Sequence, residues 1–196
     1  MSKIVGEPYG ATPLDPDELK GLKHKHVRTR GQLDELEQFN IQEGLKWLNQ
    51  LKKVELFCDS FARELHEKLF GQVWDWAGTF RLTEKSIGIV PYQIPVQLRQ
   101  LLDNARYWVE HQTYSPLEFA ARFHHKLVFI HPFPNGNGRH ARIMADTVLT
   151  KVLGQKPIDW AGGFDIQRMS SRRTQYIEAL RAADGGDIGP LLAFVS

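Results

Sequence analysis

The segment from residue 131 to residue 142 concentrates side chains that can act on a phosphate group. It reads His-Pro-Phe-Pro-Asn-Gly-Asn-Gly-Arg-His-Ala-Arg. The two Asn-Gly steps predict a tight loop, because glycine tolerates the left-handed backbone conformations that such loops require. A helical pattern begins directly after the loop, so backbone N–H groups and the positive end of a helix dipole should point in one direction. This combination is typical of an anion-binding site.

Arg139 and Arg142 lie in the first turns of the helix that follows this loop. Two cations at a helix N-terminus are unfavourable beside the helix dipole, and an anionic ligand would offset that cost. At about 100° per residue, Arg139 points away from the apolar stripe of this helix, and Arg142 lies on its flank. We therefore expect Arg139 to be free to reach a phosphate, whose oxygens suit the paired donors of a guanidinium.

His131 stands immediately before the loop and can exchange a proton near neutral pH. A histidine beside a phosphate site is what phosphoryl or nucleotidyl transfer to a hydroxyl group needs. The histidine takes the hydroxyl proton while fixed donors hold the charge that develops on the phosphate. The alternative interpretation is a structural turn that carries two surface arginines.

Two helices must hold these residues. The first begins at Ser115, with Pro116 at its first position and Glu118 able to complete a capping box. It ends at residues 131–132, since proline disfavours a continuing helix. The second runs over about residues 138–153. The proton acceptor and the arginines are thus predicted on either side of one short loop.

Helical periodicity covers most of the remaining chain. Further helices are predicted over residues 32–56, 57–70, 97–109 and 167–183. Only residues 79–94 interrupt the helical periodicity. Their β-branched residues, glycine and prolines predict a small β-hairpin or flap. The predicted fold class is all-α: one mainly helical domain over residues 20–196, preceded by an extended arm over residues 1–19.

Composition bounds the possible functions. The chain has 196 residues, of which 42% are apolar and 24% charged, values typical of a globular domain. The single cysteine, Cys58, excludes an intramolecular disulfide framework and a multi-cysteine zinc site. The net charge of only +2 argues against a protein that coats nucleic acid. No signal-like or membrane-length apolar run is visible, so we expect a cytoplasmic protein without a membrane partner.

The motif resembles the signature of the Fic (filamentation induced by cAMP) domain family, His-x-Phe-x-Asp/Glu-Gly-Asn-Gly-Arg-x-x-Arg. The matching residues are His131, Phe133, Gly136, Asn137, Gly138, Arg139 and Arg142. The segments 69–81 and 176–187 are also similar to family segments, so the resemblance runs from about residue 20 to the C-terminus. The pattern most resembles the subgroup called mobile mystery protein B.

This resemblance implies a Fic-type helical bundle that transfers AMP from ATP to a Ser, Thr or Tyr hydroxyl of a target protein. His131 would be the general base and Phe133 a core anchor for the loop. The implied nucleotide-binding residues are Asn135, Gly136, Asn137, Gly138, Arg139 and Arg142. The flap over residues 81–95 would hold the target segment by strand addition.

Asn135 departs from the family pattern, which has an acidic Mg²⁺ ligand at this position. Mg²⁺ prefers carboxylates beside substrate phosphates, and an asparagine offers an oxygen without charge. We therefore expect Asn135 to be at most a weak metal ligand and Mg²⁺ binding to be weakened. The alternative function is a weakly active or inactive module that binds a nucleotide or a partner.

Regulation is a second open point. Many family members carry an inhibitory Ser/Thr-x-x-x-Glu-Gly/Asn helix, but the single Glu-Gly pair here, at Glu43, follows Phe39 instead of a hydroxyl residue. An antitoxin or neighbouring regulator protein fits better, which would make the chain the toxin of a toxin–antitoxin pair.

Other polar clusters have ordinary structural interpretations. His124 and His125 lie near His131 and His140 in sequence, but conventional zinc spacing is not met, and His124 is predicted to be a hydrogen-bonded core histidine. The basic run over residues 20–30 is more typical of a solvated surface, although a nucleic-acid-binding role is the alternative there.

Overall fold

The computed structural model describes residues 15–52, 54–160 and 170–196. Within these ranges the chain forms eight α-helices and one short 3-10 helix over Pro91–Gln93. The α-helices are α1 (Pro16–Lys20), α2 (Arg30–Gln50), α3 (Asp59–Phe70), α4 (Ile94–Glu110), α5 (Pro116–Ile130), α6 (Asn137–Lys151), α7 (Ser170–Asp184) and α8 (Gly189–Val195). The prediction of a mainly helical fold is confirmed.

Helix α5 lies at the centre of the bundle, in contact with α4, α6, α7 and α8. Its sequence explains this position, because apolar side chains occur on more than one face. Phe119, Phe123 and Leu127 are all buried, and so are the imidazoles of His124 and His125. Helix α3 packs against α2, α4 and α6, which extends the core towards the loop before α6.

The two ends of α5 bear directly on the site. At its start, the Ser115 hydroxyl accepts a hydrogen bond from the Glu118 N–H at 3.4 Å. The Glu118 carboxylate accepts from Arg122 Nε at 2.8 Å, a contact along the helix. At its end, His131 takes the left-handed conformation that terminates many helices.

Several predicted boundaries shift. Helix α2 ends at Gln50, short of residue 56, and α8 was not predicted. The start of the helix predicted over residues 167–183 lies outside the described residues, and α7 begins at Ser170. The extended arm predicted over residues 1–19 is wrong at its end, where Asp15 forms a capping box with Glu18 and α1 begins. Residues 1–14 lie outside the described residues.

The small β-hairpin predicted within residues 79–94 is not observed: the described part of the chain contains no strand. One isolated antiparallel bridge, between Leu22 and Trp74, is present elsewhere. The guanidinium of Arg81 explains the difference, since it donates to the backbone carbonyls of Thr83 and Ile89. Carbonyls bound in this way are not available for a strand ladder. Among the described residues, no helix combines the length and apolar character needed to span a membrane.

Candidate active site

His131 is held at the C-terminal end of α5 in a conformation unusual for a residue with a side chain. Its backbone has φ 53° and ψ 61°, and the residue is 4% exposed. Such a conformation persists only when its surroundings hold it in place. Arg81 supplies this support: its Nε donates to the His131 carbonyl at 2.6 Å, and its backbone N–H donates to the Pro132 carbonyl at 3.0 Å.

Arg81 is itself 1% exposed, which is rare for a guanidinium. Besides the His131 carbonyl, it donates to the carbonyl of Thr83 at 2.8 Å and to that of Ile89. Burial lowers the pKa of Arg81, while Glu18 and Glu84 act in the opposite direction. Arg81 therefore ties the 81–89 segment, which we call the flap segment, to the end of α5.

The environment of His131 keeps its imidazole neutral at physiological pH. Burial lowers its pKa to about 4, and the positive charges of Arg81 and Lys85 act in the same direction. A hydrogen bond with the Val128 backbone raises the pKa without reversing the shift. A neutral imidazole in this position can accept a proton, as a general base must.

The flap segment lies directly against His131. At Gly88, where φ is +99°, a methyl group would lie 2.5 Å from His131 Cβ, so only glycine fits this close approach. Helix α1 braces the segment from outside: the Lys85 ammonium pairs with Asp15 at 3.0 Å and with Glu18. The Thr83 hydroxyl also donates to Glu18 Oε1 at 3.1 Å.

The loop before α6 is shaped by its own side chains. Phe133 is fully buried and stacks on His66 at 3.8 Å, which confirms the prediction that it anchors the loop. The Asn137 amide accepts from the Phe133 N–H at 2.9 Å and donates to the Phe133 carbonyl at 2.7 Å. Gly136 precedes α6 with φ +79°, and a side chain there would meet the Phe70 ring at 2.7 Å. The N–H groups of the first residues of α6 have no acceptor within the helix, as at the start of any α-helix.

Arg139 is not free, contrary to the expectation from its helical position. Its Nη1 donates to Glu37 Oε2 at 2.7 Å, and its guanidinium lies over the Phe70 ring at 4.7 Å. The other oxygen of Glu37 accepts from Trp74 Nε1 at 2.8 Å. Glu37 lies on the buried side of α2, four residues after Leu33 and four before Ile41. A charged residue within such an apolar stripe indicates a buried ion pair, and this pattern in the sequence could have pointed to a partner for Glu37.

Arg142 lies on the other side of the loop, next to α7. Its guanidinium is 5.5 Å from the centre of the Tyr176 ring. The Tyr176 hydroxyl forms a hydrogen bond of 2.9 Å with His124 Nε2, which confirms His124 as a hydrogen-bonded core histidine. Burial raises the pKa of Tyr176, and Arg142 lowers it in part. The fold thus brings α5, α6 and α7 together beside the loop.

Asn135 does not fit the role of a metal-binding residue. Its Oδ1 accepts from the Gly136 N–H at 2.6 Å and lies 3.5 Å from Arg139 Nη2. Its backbone carbonyl forms a hydrogen bond of 3.0 Å with His66 Nε2. A neutral oxygen that already accepts hydrogen bonds, one of them from a cation, is a poor ligand for Mg²⁺. Across the described ranges, no three His, Cys, Asp or Glu side chains are grouped in a way that could hold a metal ion.

The buried histidines predict an acid-sensitive fold. Burial lowers the pKa of His131 and of His140 to about 4, and lowers the pKa of His66 and His124 well below the usual value. Below about pH 6.5 the unfolded chain takes up protons that the folded chain does not, so stability is lost as the pH falls towards 4. At 1.36 kcal/mol per pKa unit, His131 and His140 would each contribute on the order of 3 kcal/mol by about pH 4.

We therefore expect the free energy of unfolding, measured by urea denaturation, to fall by several kcal/mol between about pH 7 and about pH 5. The His140 Nε2–H donates to the Ala62 carbonyl at 2.9 Å, and His140→Gln is the matched variant. It should show a shallower dependence on pH than the original chain. A free energy of unfolding that is constant over this range would contradict the prediction.

Comparison with known proteins shows which family this chain is similar to. Residues 56–149 match the model of the Fic/DOC family. The chain is 31% identical over 170 residues to a protein named protein adenylyltransferase Fic from Nematostella vectensis, covering 84% of this chain and 38% of that protein. The protein of the same name from Drosophila melanogaster is 33% identical over 159 residues, covering 78% of this chain and 30% of that protein. The chain thus spans between 30% and 38% of the length of these relatives.

Solved structures show the same fold. Fic-1 (residues 134–508) from C. elegans superposes with a TM-score of 0.67 at 24% identity, over 89% of this chain and 49% of that chain. The BepC protein from Bartonella tribocorum, solved with bound AMPPNP, superposes with a TM-score of 0.70 at 19% identity, over 92% of this chain and 96% of that chain. The chain is therefore similar to the Fic/DOC family over residues 56–149, a stretch that includes the loop between α5 and α6, and it shares the fold of these solved structures.

Proposed function

We propose that this protein is a Fic-type adenylyltransferase that moves AMP from ATP to a Ser, Thr or Tyr hydroxyl of a target protein. One observation carries the proposal: a neutral, buried histidine stands six residues before Asn137, the first residue of α6, whose first turns carry Arg139 and Arg142. The relatives named protein adenylyltransferase Fic support the same reaction.

The reaction requires little covalent chemistry from the protein. The target hydroxyl oxygen attacks the α-phosphorus of ATP, and the bond from this phosphorus to the oxygen that bridges to the β-phosphate breaks. His131 takes the hydroxyl proton; its hydrogen bond with the Val128 backbone leaves a second ring nitrogen for this task. Pyrophosphate leaves, and the N–H groups of α6 with Arg142 hold the charge that develops on the phosphates.

The test separates AMP transfer from phosphate transfer. The chain is incubated with a cell lysate and either α-labelled or γ-labelled ATP, and intact-mass analysis follows on each labelled protein. We expect label from the α-phosphate only, with a mass increase equal to one AMP. Label from the γ-phosphate alone would overturn the proposal, and so would bound nucleotide without any label on protein.

The target segment would dock along residues 81–95. Leu82 is 91% exposed, and Tyr92 and Ile87 also present apolar surface to solvent. Apart from the Thr83 and Ile89 carbonyls, which Arg81 holds, the backbone of the flap segment is not paired in a ladder, so we infer that an incoming strand pairs with the rest of it on binding. Leu82→Asp should then raise KM for the target and leave ATP binding unchanged.

We further propose that the protein acts in the cytoplasm as the toxin of a toxin–antitoxin pair, in line with its resemblance to the mobile mystery protein B subgroup. An inhibitor within the chain has little support, because Glu43 pairs with Lys46 at 2.6 Å on the surface of α2. Co-expression of a small neighbouring protein should relieve toxicity, and toxicity that persists unchanged would count against this idea.

The alternative is a weakly active module that binds nucleotide or a partner. The ion pair between Arg139 and Glu37 favours it, because a phosphate must compete with a buried carboxylate for this guanidinium. Nucleotide binding without transfer, in the labelling experiment above, is the outcome that this alternative predicts.

Replacing Asn135 by aspartate is expected to make transfer depend on Mg²⁺. The substitution adds a carboxylate beside the phosphate site, which is the ligand that Mg²⁺ prefers. We expect the rate of Asn135→Asp to rise about tenfold or more on Mg²⁺ titration, compared with a smaller response of the original chain. The rate of label transfer against Mg²⁺ concentration is the measurement.

The matched control is Asn137→Asp, two residues further along the chain, at the first position of α6. Its amide holds the Phe133 backbone through both a donor and an acceptor, so an aspartate there loses the donor and should lower stability instead. Equal Mg²⁺ responses of Asn135→Asp and the original chain would contradict the prediction.

A further inference from the structure

Both ring nitrogens of His66, a fully buried residue of α3, bond to backbone groups in two separate segments. The Gly78 N–H donates to His66 Nδ1 at 3.0 Å, and His66 Nε2 lies 3.0 Å from the Asn135 carbonyl oxygen. A backbone N–H can only donate and a carbonyl can only accept, so Nδ1 is unprotonated and Nε2 carries the hydrogen. The two partners thus define a single neutral tautomer of this imidazole.

His66 connects the chain that leads into the flap segment with the loop before α6. Gly78 lies three residues before Arg81, which holds the start of this loop through backbone carbonyls. Asn135 lies at the end of the same loop, two residues before α6 begins. The loop is therefore fixed at its start by Arg81 and at its end by His66.

The bond to His66 sets the orientation of the peptide between Asn135 and Gly136. In a trans peptide the carbonyl and the N–H point in opposite directions, and the N–H of this unit donates to Asn135 Oδ1 at 2.6 Å. Rotation of the peptide would change φ of Gly136 from +79° to a negative value, which a glycine adopts about as readily. Gly136 alone does not select one orientation, so the bond to His66 is needed to select it.

The surroundings of His66 hold its ring in place. The ring stacks on Phe133 with 3.8 Å between ring centres and lies 4.8 Å from the centre of the Phe70 ring. Burial lowers the pKa of His66 well below its usual value, and His140 and Arg139 act in the same direction, while the bond to the Asn135 backbone raises it in part. Both bonds of the neutral imidazole are therefore kept at neutral pH.

We propose that His66 is a positioning residue for AMP transfer, which keeps the Asn135 carbonyl turned towards α3 and so sets the backbone from which α6 starts. This inference rests on the proposed function, in which the N–H groups of α6 hold the phosphates. A carbonyl oxygen rotated away from α3 would bring negative charge close to the start of α6, where it opposes an anionic ligand. His66 itself touches neither the nucleotide nor the target hydroxyl and acts through the loop.

Two variants of His66 separate its two bonds. An asparagine oxygen can take the place of Nδ1 but does not reach the place of Nε2, so His66→Asn keeps the acceptor for Gly78 and loses the donor to Asn135. A glutamine amide nitrogen can take the place of Nε2, so His66→Gln keeps the donor to Asn135 and loses the acceptor for Gly78. Each variant loses the ring stack and one hydrogen bond, so we expect similar decreases in melting temperature.

The rate of transfer from α-labelled ATP in a single turnover should divide the two variants. We expect His66→Asn to transfer AMP about tenfold or more slowly than the original chain, because a misplacement of about 1 Å costs up to about 10²-fold. His66→Gln should stay within about threefold, because Arg63 Nε still holds the Gly78 carbonyl at 2.8 Å. Arg63→Met is the control that releases this carbonyl, and it should transfer AMP at the original rate.

Amide hydrogen exchange, followed by NMR, gives a measurement that does not depend on transfer. In His66→Asn the Gly136 N–H should exchange about tenfold or more faster than in the original chain, while the Gly78 N–H keeps its protection. In His66→Gln the Gly78 N–H should lose protection and the Gly136 N–H should keep it.

Equal transfer rates of His66→Asn and His66→Gln would overturn the proposal, and so would an unchanged exchange rate at Gly136 in His66→Asn. An original chain that transfers no AMP would instead contradict the proposed function. Exchange alone then decides whether His66 holds the loop peptide: protection lost at Gly136 only in His66→Asn supports this role, and protection kept there overturns it.

Discussion

Replacing His131 is expected to reduce the rate of AMP transfer by about 10²–10⁴-fold, the usual contribution of a positioned general base. His131→Asn is the variant of choice, because asparagine accepts the left-handed backbone of this position better than alanine does. Affinity for ATP should stay within about twofold, since the arginines and the α6 N-terminus are unchanged. Single-turnover transfer of α-labelled ATP measures the rate, and calorimetry measures the binding.

The dependence of kcat on pH gives a second test of the role of His131 as the general base. The pKa of His131 is lowered to about 4, so the base stays deprotonated through the neutral range and the rate should be level down to about pH 6. His111→Gln, which alters an exposed histidine at the end of α4, should transfer AMP at the original rate. Transfer by His131→Asn at the original rate would remove His131 from the mechanism.

Replacing Arg81 by methionine is expected to lower both stability and activity. The substitution leaves the carbonyls of His131, Thr83 and Ile89 without their donor, and each buried unsatisfied acceptor costs about 1–3 kcal/mol. We expect a loss of about 3 kcal/mol or more in the free energy of unfolding, measured by urea denaturation. The rate of transfer should fall as well, because the flap segment and the backbone of His131 lose their common support.

Arg63→Met is the matched control for this prediction. Arg63 is an exposed arginine that donates to one carbonyl, that of Gly78, at 2.8 Å and lies over the Phe80 ring. Its loss should cost about 1 kcal/mol and leave the transfer rate unchanged. Equal destabilisation by the two substitutions would show that Arg81 has no special part in holding the flap segment.

The predictable part of this protein consists of features that are local in sequence. The α5–loop–α6 unit is visible because a cap, a proline and two Asn-Gly steps mark its ends within about thirty residues. Phe133 is buried as expected, since an apolar residue in a polar loop usually anchors it. The hairpin prediction was wrong because Arg81 binds carbonyls that a ladder would use, and side-chain contacts of this kind have no periodicity to detect.

The support of the candidate site comes from residues far away along the chain. Glu37 and Arg139 are 102 residues apart, and Lys85 meets Asp15 across 70 residues. A charged residue on a buried stripe signals that a partner exists, as with Glu37, but it does not say which residue that partner is.

The sequence by itself determined the chemical groups of the candidate site, their order around one loop and the helical character of the chain, because these depend on local backbone preference and on near neighbours. Only the tertiary structure decided the charge environment: that His131 is buried and neutral, and that Arg139 is paired with Glu37. Electrostatic energy depends on distance and burial in space, and neither can be read from positions along the chain until the helices have packed.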